Sequence, residues 1–228
     1  GEVVARYRDL GYDFLAITDH DDRISDEYWF RIPAGDDRML ILSGIELDYR
    51  PLSQHVGKIL GDHETLFVLN HPARYHLTVE ETLRRIAEIS AEGLPIHAVE
   101  VSDTGIYQAE YDVDAIQLPK IATDDSHRDA DFGRAWVEVD AARSADAILR
   151  AIKAGDFRVG FAPGDGLVAS TRLRDFAGAE RFGIRAVMPP AVAPPGDGAA
   201  MPRPRDHWLG GDPRGVAVGT VLHPKDAG

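Results

Sequence analysis

The sequence predicts a mainly parallel α/β sheet or barrel, and three observations carry that expectation. Short apolar runs rich in Val, Ile and Leu alternate with segments of helical periodicity over the first 160 residues. Residues of metal-ligand type follow one apolar run after another: Thr18-Asp19-His20-Asp21, Gly44-Ile45-Glu46, His55-Val56-Gly57, Asn70-His71-Pro72 and Thr123-Asp124-Asp125-Ser126-His127. The chain of 228 residues is long enough for one large domain, or for one domain with a smaller appendage.

The elements follow in order. Val3, Tyr7 and Leu10 share a helical face, and Gly11 is placed to end that helix. Strands are expected at 14–17, 39–45, 55–60 and 66–69, with a polar loop over 21–37. Thr78 and Glu81 form a capping-box pair that opens a helix to about Ala91, closed by Gly93. Further strands are expected at 96–101, 120–123 and 135–139, and Ser144 caps a helix that ends before Gly155. From residue 161 the pattern changes, because eight of the 14 prolines fall in the last 40 residues. The chain therefore divides into an α/β unit over 1–160 and a Pro/Gly-rich, loop-rich extension over 161–228.

Composition narrows the chemistry. With no cysteine, thiolate metal sites and disulfides are excluded, so His, Asp and Glu are the available ligands for zinc, manganese or iron. A formal net charge of -13 disfavours a phosphate-backbone binder and suits a small substrate. Bound cations would reverse the local field, so an anionic ester stays compatible with an acidic protein. The absence of a long apolar run and of a leader-like start gives the expectation of a cytoplasmic protein without a membrane partner.

Imidazoles and carboxylates brought one strand at a time to a common rim can form a polynuclear hydrolytic centre. A single histidine in such a place is more often a surface or core residue. The joint occurrence of His20, His55, His71 and His127 with Glu46 and Asp125 is what points to a metal site. In an extended segment Asp125 and His127 would point the same way, toward neighbouring ions; a polar turn is the competing reading. Glu46 can bridge two cations, Asp19 can orient His20, and Arg74 can hold a phosphate or carboxylate or simply lie on the surface. His63, His76, His97, His207 and His223 have no comparable context.

With these motifs assembled, residues 1–160 resemble the PHP superfamily of polymerase-type and histidinol-phosphatase-type metallohydrolases. GYDFLAITDHD, the Gly-x-Glu, the His-Val-Gly, the His-Pro and the DDSH occur in that family's order. The segment GRAWVEVDAARSADAILRAIKAGDFR is similar to the carbaryl-hydrolase-like branch. The resemblance implies a distorted parallel (β/α)7 barrel with two to three divalent ions. In it Glu46 would bridge two ions, His55 and His71 would complete the second, Asp125 would serve the first, and His20 with His127 the third.

The resemblance also implies an N-terminal strand carrying His-x-His, which is not in this chain; without it two strand edges would stand open. The implied activity is hydrolysis of a small phosphoester by a metal-bridging hydroxide, with Glu46, Asp125 and Arg74 as the catalytic side chains. Asp125 or a neighbouring acid would move the proton. Hydrolysis of a carboxyl or carbamate ester, or a truncated and inactive metal-binding domain, are the alternatives.

Overall fold

The computed structural model describes residues 2–32 and 35–162, together with the backbone of 216–219. In chain order the elements are α1 (Glu2–Asp9), β1 (Phe14–Ile17), a single-turn α2 (Tyr28–Arg31), β2 (Leu40–Tyr49), β3 (Gln54–Leu60) and β4 (Thr65–Leu69). They continue with α3 (Val79–Ala91), β5 (Ala98–Glu100), β6 (Ser102–Asp103), β7 (Ile106–Tyr107), β8 (Lys120–Ile121), β9 (Ala135–Val139), α4 (Ala145–Ala154), β10 (Phe157–Phe161) and β11 (Val216–Gly219).

The helix ends follow from their capping residues. Thr78 accepts a hydrogen bond from the Glu81 backbone N–H at 3.2 Å while Glu81 accepts one from the Thr78 N–H at 2.8 Å, which closes the expected capping box on α3. Ser144 caps α4, and Gly155 ends it in the left-handed conformation at φ 78°.

Nine strands form one sheet in the order β10-β9-β11-β1-β2-β3-β4-β5-β8, and β6 pairs with β7 apart from it. Period-two alternation sends side chains to both faces of the sheet. Phe14 and Ala16 of β1 join Leu42, Leu66, Val68, Ala98, Ile121 and Val137 against Ile148, Leu149 and Ile152 of α4. Leu15 and Ile17 turn instead toward Val4 and Tyr7 of α1. A third cluster sets Ile89 of α3 against Val56, Leu69 and Val99.

The expected parallel barrel is corrected to a curled, half-barrel sheet of mixed direction. β3 runs antiparallel to both β2 and β4, and β9 to both β10 and β11, whereas β1–β2, β4–β5 and β5–β8 are parallel. The physical reason lies in the connections. Only residues 50–53 and 61–64 join β2 to β3 and β3 to β4, and a parallel return needs a crossover of about a dozen residues or more. The edge of β1 expected to stand open is paired: β11 lies between β9 and β1, aligned in parallel at Phe14↔Val218 and Leu15↔Gly219. Apart from this strand and the first residues of the extension, the loop-rich expectation for 161–228 lies outside the described residues.

Candidate metal centre

Backbone register brings the candidate ligands together. Beyond the end of β1, His20 forms an isolated parallel bridge with Glu46, and the Glu46 N–H donates to the Asp19 carbonyl at 2.9 Å. The antiparallel β2–β3 pairing places Glu46 opposite Gly57 and Asp48 opposite His55. β4 ends at Leu69, so Asn70 and His71 emerge beside β3, where the Asn70 N–H donates to the His55 carbonyl at 3.1 Å.

Gln54 fastens this end of the sheet. Its side-chain amide donates to the carbonyls of His55 and Asn70 at 2.9 and 2.8 Å.

Glu46, only 1% exposed, stands at the middle of the cluster. Its Oε2 lies 3.3 Å from His20 Nδ1, and its Oε1 lies 3.4 Å from His55 Nδ1 and 3.8 Å from His71 Nε2. His55 Nδ1 and His71 Nε2 are 3.1 Å apart. Donor atoms sharing one tetrahedral ion at about 2.1 Å stand roughly 3.4 Å from each other. The separations here are close to that value, as expected of donors that share divalent cations.

Two groups are close enough to hold an ion, His20/Glu46/His55 and Glu46/His71/Asp125, and Glu46 belongs to both. Imidazoles with carboxylates are the donor set of zinc, manganese and iron sites.

Gly57 makes room for the central carboxylate's hydrogen-bond donor. A Cβ on Gly57 would stand 2.9 Å from Asn70 Oδ1, and the Asn70 amide uses that space to donate to Glu46 Oε1 at 2.7 Å. Gly44 has a different use, because a Cβ there would meet Thr18 Cγ2 at 2.4 Å.

Two of the candidate ligands have strained backbones. His71 has φ 26° and Asp125 has φ 41°, conformations that cost on the order of 1–3 kcal/mol each for residues with a side chain. Such strain persists where surrounding contacts dictate it, and both residues are almost fully buried.

The positive φ of Asp125 also interrupts the extended segment assumed from the sequence. His127 Nδ1 approaches the Asp125 carbonyl oxygen at 2.8 Å and stands 4.0 Å from Asp125 Oδ1. It belongs to neither ligand group among the described residues.

The other sequence candidates divide. Asp19 is buried beside His20, and its Oδ2 accepts the Tyr28 hydroxyl at 2.7 Å. Arg74 donates to Asp103 Oδ1 at 2.7 Å and to Asp125, and its Nη1 lies 3.3 Å from His71 Nε2. Burial works against its charge, but the Asp125 and Asp103 carboxylates outweigh burial and raise its pKa.

Burial likewise lowers the His71 pKa, and the Glu100, Asp125 and Glu46 carboxylates overcome that and raise it. A cation binding there would displace a proton. Tyr75 packs on His71 with ring centroids 6.0 Å apart, and burial pushes its hydroxyl up to about 12. His63 and His97 have structural contacts: the His63 N–H caps Asp146, and His97 Nδ1 accepts the Phe67 N–H.

Sequence reasoning passed over Glu100 and Asp103, and placed Asp124 in the DDSH series without a role of its own. Asp124 accepts the Tyr7 hydroxyl at 3.0 Å and the Gly133 N–H at 2.5 Å, which ties α1 to the DDSH segment. Glu100 is 2% exposed and lies against His71. The available signal was a lone carboxylate inside the buried run Ala98-Val99-Glu100-Val101.

No protein-family model matches the chain, and no curated protein matches it. Among solved structures, a two-domain protein from Bacteroides vulgatus ATCC 8482, described as containing a predicted PHP-like metal-dependent phosphoesterase, shares the fold at TM-score 0.51 and 19% identity. The match covers 70% of this chain and 59% of that one.

Proposed function

We propose that the chain is a PHP-type metal-dependent hydrolase that cleaves a small phosphoester. The observation that carries this reading is one buried carboxylate, Glu46, shared by two sets of ligand-type side chains with separations suited to divalent ions. The fold shared with a protein described as PHP-like supports it. Divalent ions bound there would supply a lowered pKa for the attacking water and compensation of phosphoryl charge.

The chain's own residues account for the rest. Glu46 belongs to both groups, with Oε2 toward His20 and Oε1 toward His55 and His71, and Asn70 holds that carboxylate in place. His20, His55 and His71 present imidazole nitrogens from three different strand ends. Asp125, 2% exposed, adds a second buried carboxylate beside His71 and is placed to accept a proton. Arg74, held charged by Asp125 and Asp103, offers a guanidinium to an anionic substrate oxygen. Among the described residues, no helix is long and apolar enough to cross a membrane.

The test is a rate comparison on the purified chain supplied with zinc, manganese or iron. Turnover of p-nitrophenyl phosphate or of its diester above that of p-nitrophenyl acetate is the expected result. Faster cleavage of the acetate or of an aryl carbamate would replace the phosphoester reading with a carboxyl-ester one.

A further inference from the structure

We infer that Glu100 is a positioning residue that fixes the His71 imidazole in one tautomer and turns Nε2 toward the metal centre. This rests on the metallohydrolase reading above and assigns the orientation of one of its ligands.

The geometry separates the two ring nitrogens. His71 Nε2 lies 3.1 Å from His55 Nδ1 and 3.8 Å from Glu46 Oε1, on the side where the donors converge. Nδ1 lies 3.2 Å from Glu100 Oε2 and 3.9 Å from Asp125 Oδ2. A neutral imidazole has one N–H and one lone pair. A proton on Nδ1, facing the Glu100 carboxylate, leaves the lone pair on Nε2 for a cation. The reverse tautomer would set a lone pair against a buried carboxylate and an N–H among the ligands.

Glu100 is itself held in place. Its Oε2 accepts the His71 backbone N–H at 2.8 Å, and its Oε1 accepts the Ser102 and Thr123 hydroxyls at 2.9 and 2.5 Å. Three hydrogen bonds engage both oxygens, and Glu100 belongs to neither ligand group among the described residues, so it acts on a metal through His71. The backbone contact adds a second constraint, because the same oxygen braces the strained φ of His71. Carboxylate–histidine–metal relays of this kind orient the ring and make it a better base, and losing the carboxylate costs roughly 10–100-fold in metal affinity.

A purely structural role for Glu100, as a polar knot joining β5 to residue 123 and the His71 turn, makes a different forecast. Glu100→Gln retains size and shape, and its amide can satisfy the Ser102 and Thr123 hydroxyls, which accept as well as donate. A knot would survive that change. A relay loses its charge.

The experiment has two readouts. Long-range ¹H–¹⁵N NMR on the metal-free wild-type chain, at a pH where the ring is neutral, gives the His71 tautomer. Competition with a chromophoric chelator gives zinc affinity for wild type and Glu100→Gln, with melting curves confirming that both are folded. The inference expects Nδ1–H in the wild type, a mixed tautomer in the variant, and zinc bound roughly 10–100-fold more weakly by the variant. An Nε2–H tautomer in the wild type overturns it without recourse to any variant. Unchanged tautomer and affinity in a folded Glu100→Gln also overturn it. A wild-type chain that binds no zinc, manganese or iron defeats the metallohydrolase reading instead, and the NMR tautomer still tests the Glu100 contact by itself.

Discussion

Replacing Gly57 by alanine tests the packing beneath the central carboxylate. The new methyl would stand 2.9 Å from Asn70 Oδ1 and 3.4 Å from Asn70 Nδ2, so the amide must move. That amide donates to Glu46 Oε1 at 2.7 Å, a hydrogen bond to a charged group worth about 1.5–3 kcal/mol. Overpacking a tight site adds about 1–3 kcal/mol. The two effects overlap because a single group is displaced, which gives an expected loss of about 2–4 kcal/mol for Gly57→Ala in urea denaturation.

The decisive comparison is the double mutant. With Asn70→Ala already made, the methyl meets no amide, and the conformational gain of Ala over Gly in a strand makes Gly57→Ala neutral or stabilising by about 0.5 kcal/mol. A coupling of at least about 1 kcal/mol is therefore expected, against additivity within about 0.5 kcal/mol for independent sites. Additive effects would refute the claim that Gly57 is small in order to seat Asn70 on Glu46.

Other perturbations bear on separate parts of the account. Ile148→Ala removes a fully buried side chain where α4 meets the sheet and should cost about 2–5 kcal/mol by chemical denaturation. The His63 and Glu64 backbone N–H groups hold the Asp146 carboxyl below the usual carboxylate range. Because the folded pKa is depressed, its contribution is present above the unfolded value of about 3.9 and is lost as pH falls through the folded one. Asp146→Asn should accordingly flatten the acid limb of a stability–pH profile. Arg74→Ala should lower kcat/KM for a phosphoester by roughly 10–150-fold, the equivalent of a charge-assisted hydrogen bond, with a smaller effect on a neutral ester. Equal losses on both substrates would remove Arg74 from anion recognition.

Much of the local structure was legible because it depends on neighbours in sequence. The run Phe14–Ile17, the Thr78/Glu81 box and the Ser144 and Gly155 caps each specify their element within a few residues, and each element occurs where expected. Strand direction was not legible, because apolar runs look alike in parallel and antiparallel sheets; the evidence for reversal lay in the short connections over 50–53 and 61–64. His20 and His71 follow their strands as the sequence suggests, but Glu46 lies inside β2 and His55 at the start of β3, so it is the antiparallel pairing of β2 with β3 that brings these two to the cluster. The position of His127 was not, since it turns on the positive φ of Asp125, which the residue type does not announce. Glu100 escaped notice because a contact between a strand residue and a turn 29 residues earlier leaves no periodic trace.

Metal content per chain, measured by plasma mass spectrometry on protein purified without chelator, tests the central claim most directly. Two donor groups sharing Glu46 predict two equivalents of a divalent ion, with both lost in Glu46→Gln. A wild-type chain that stays below one equivalent after equilibration with zinc, manganese or iron would contradict it.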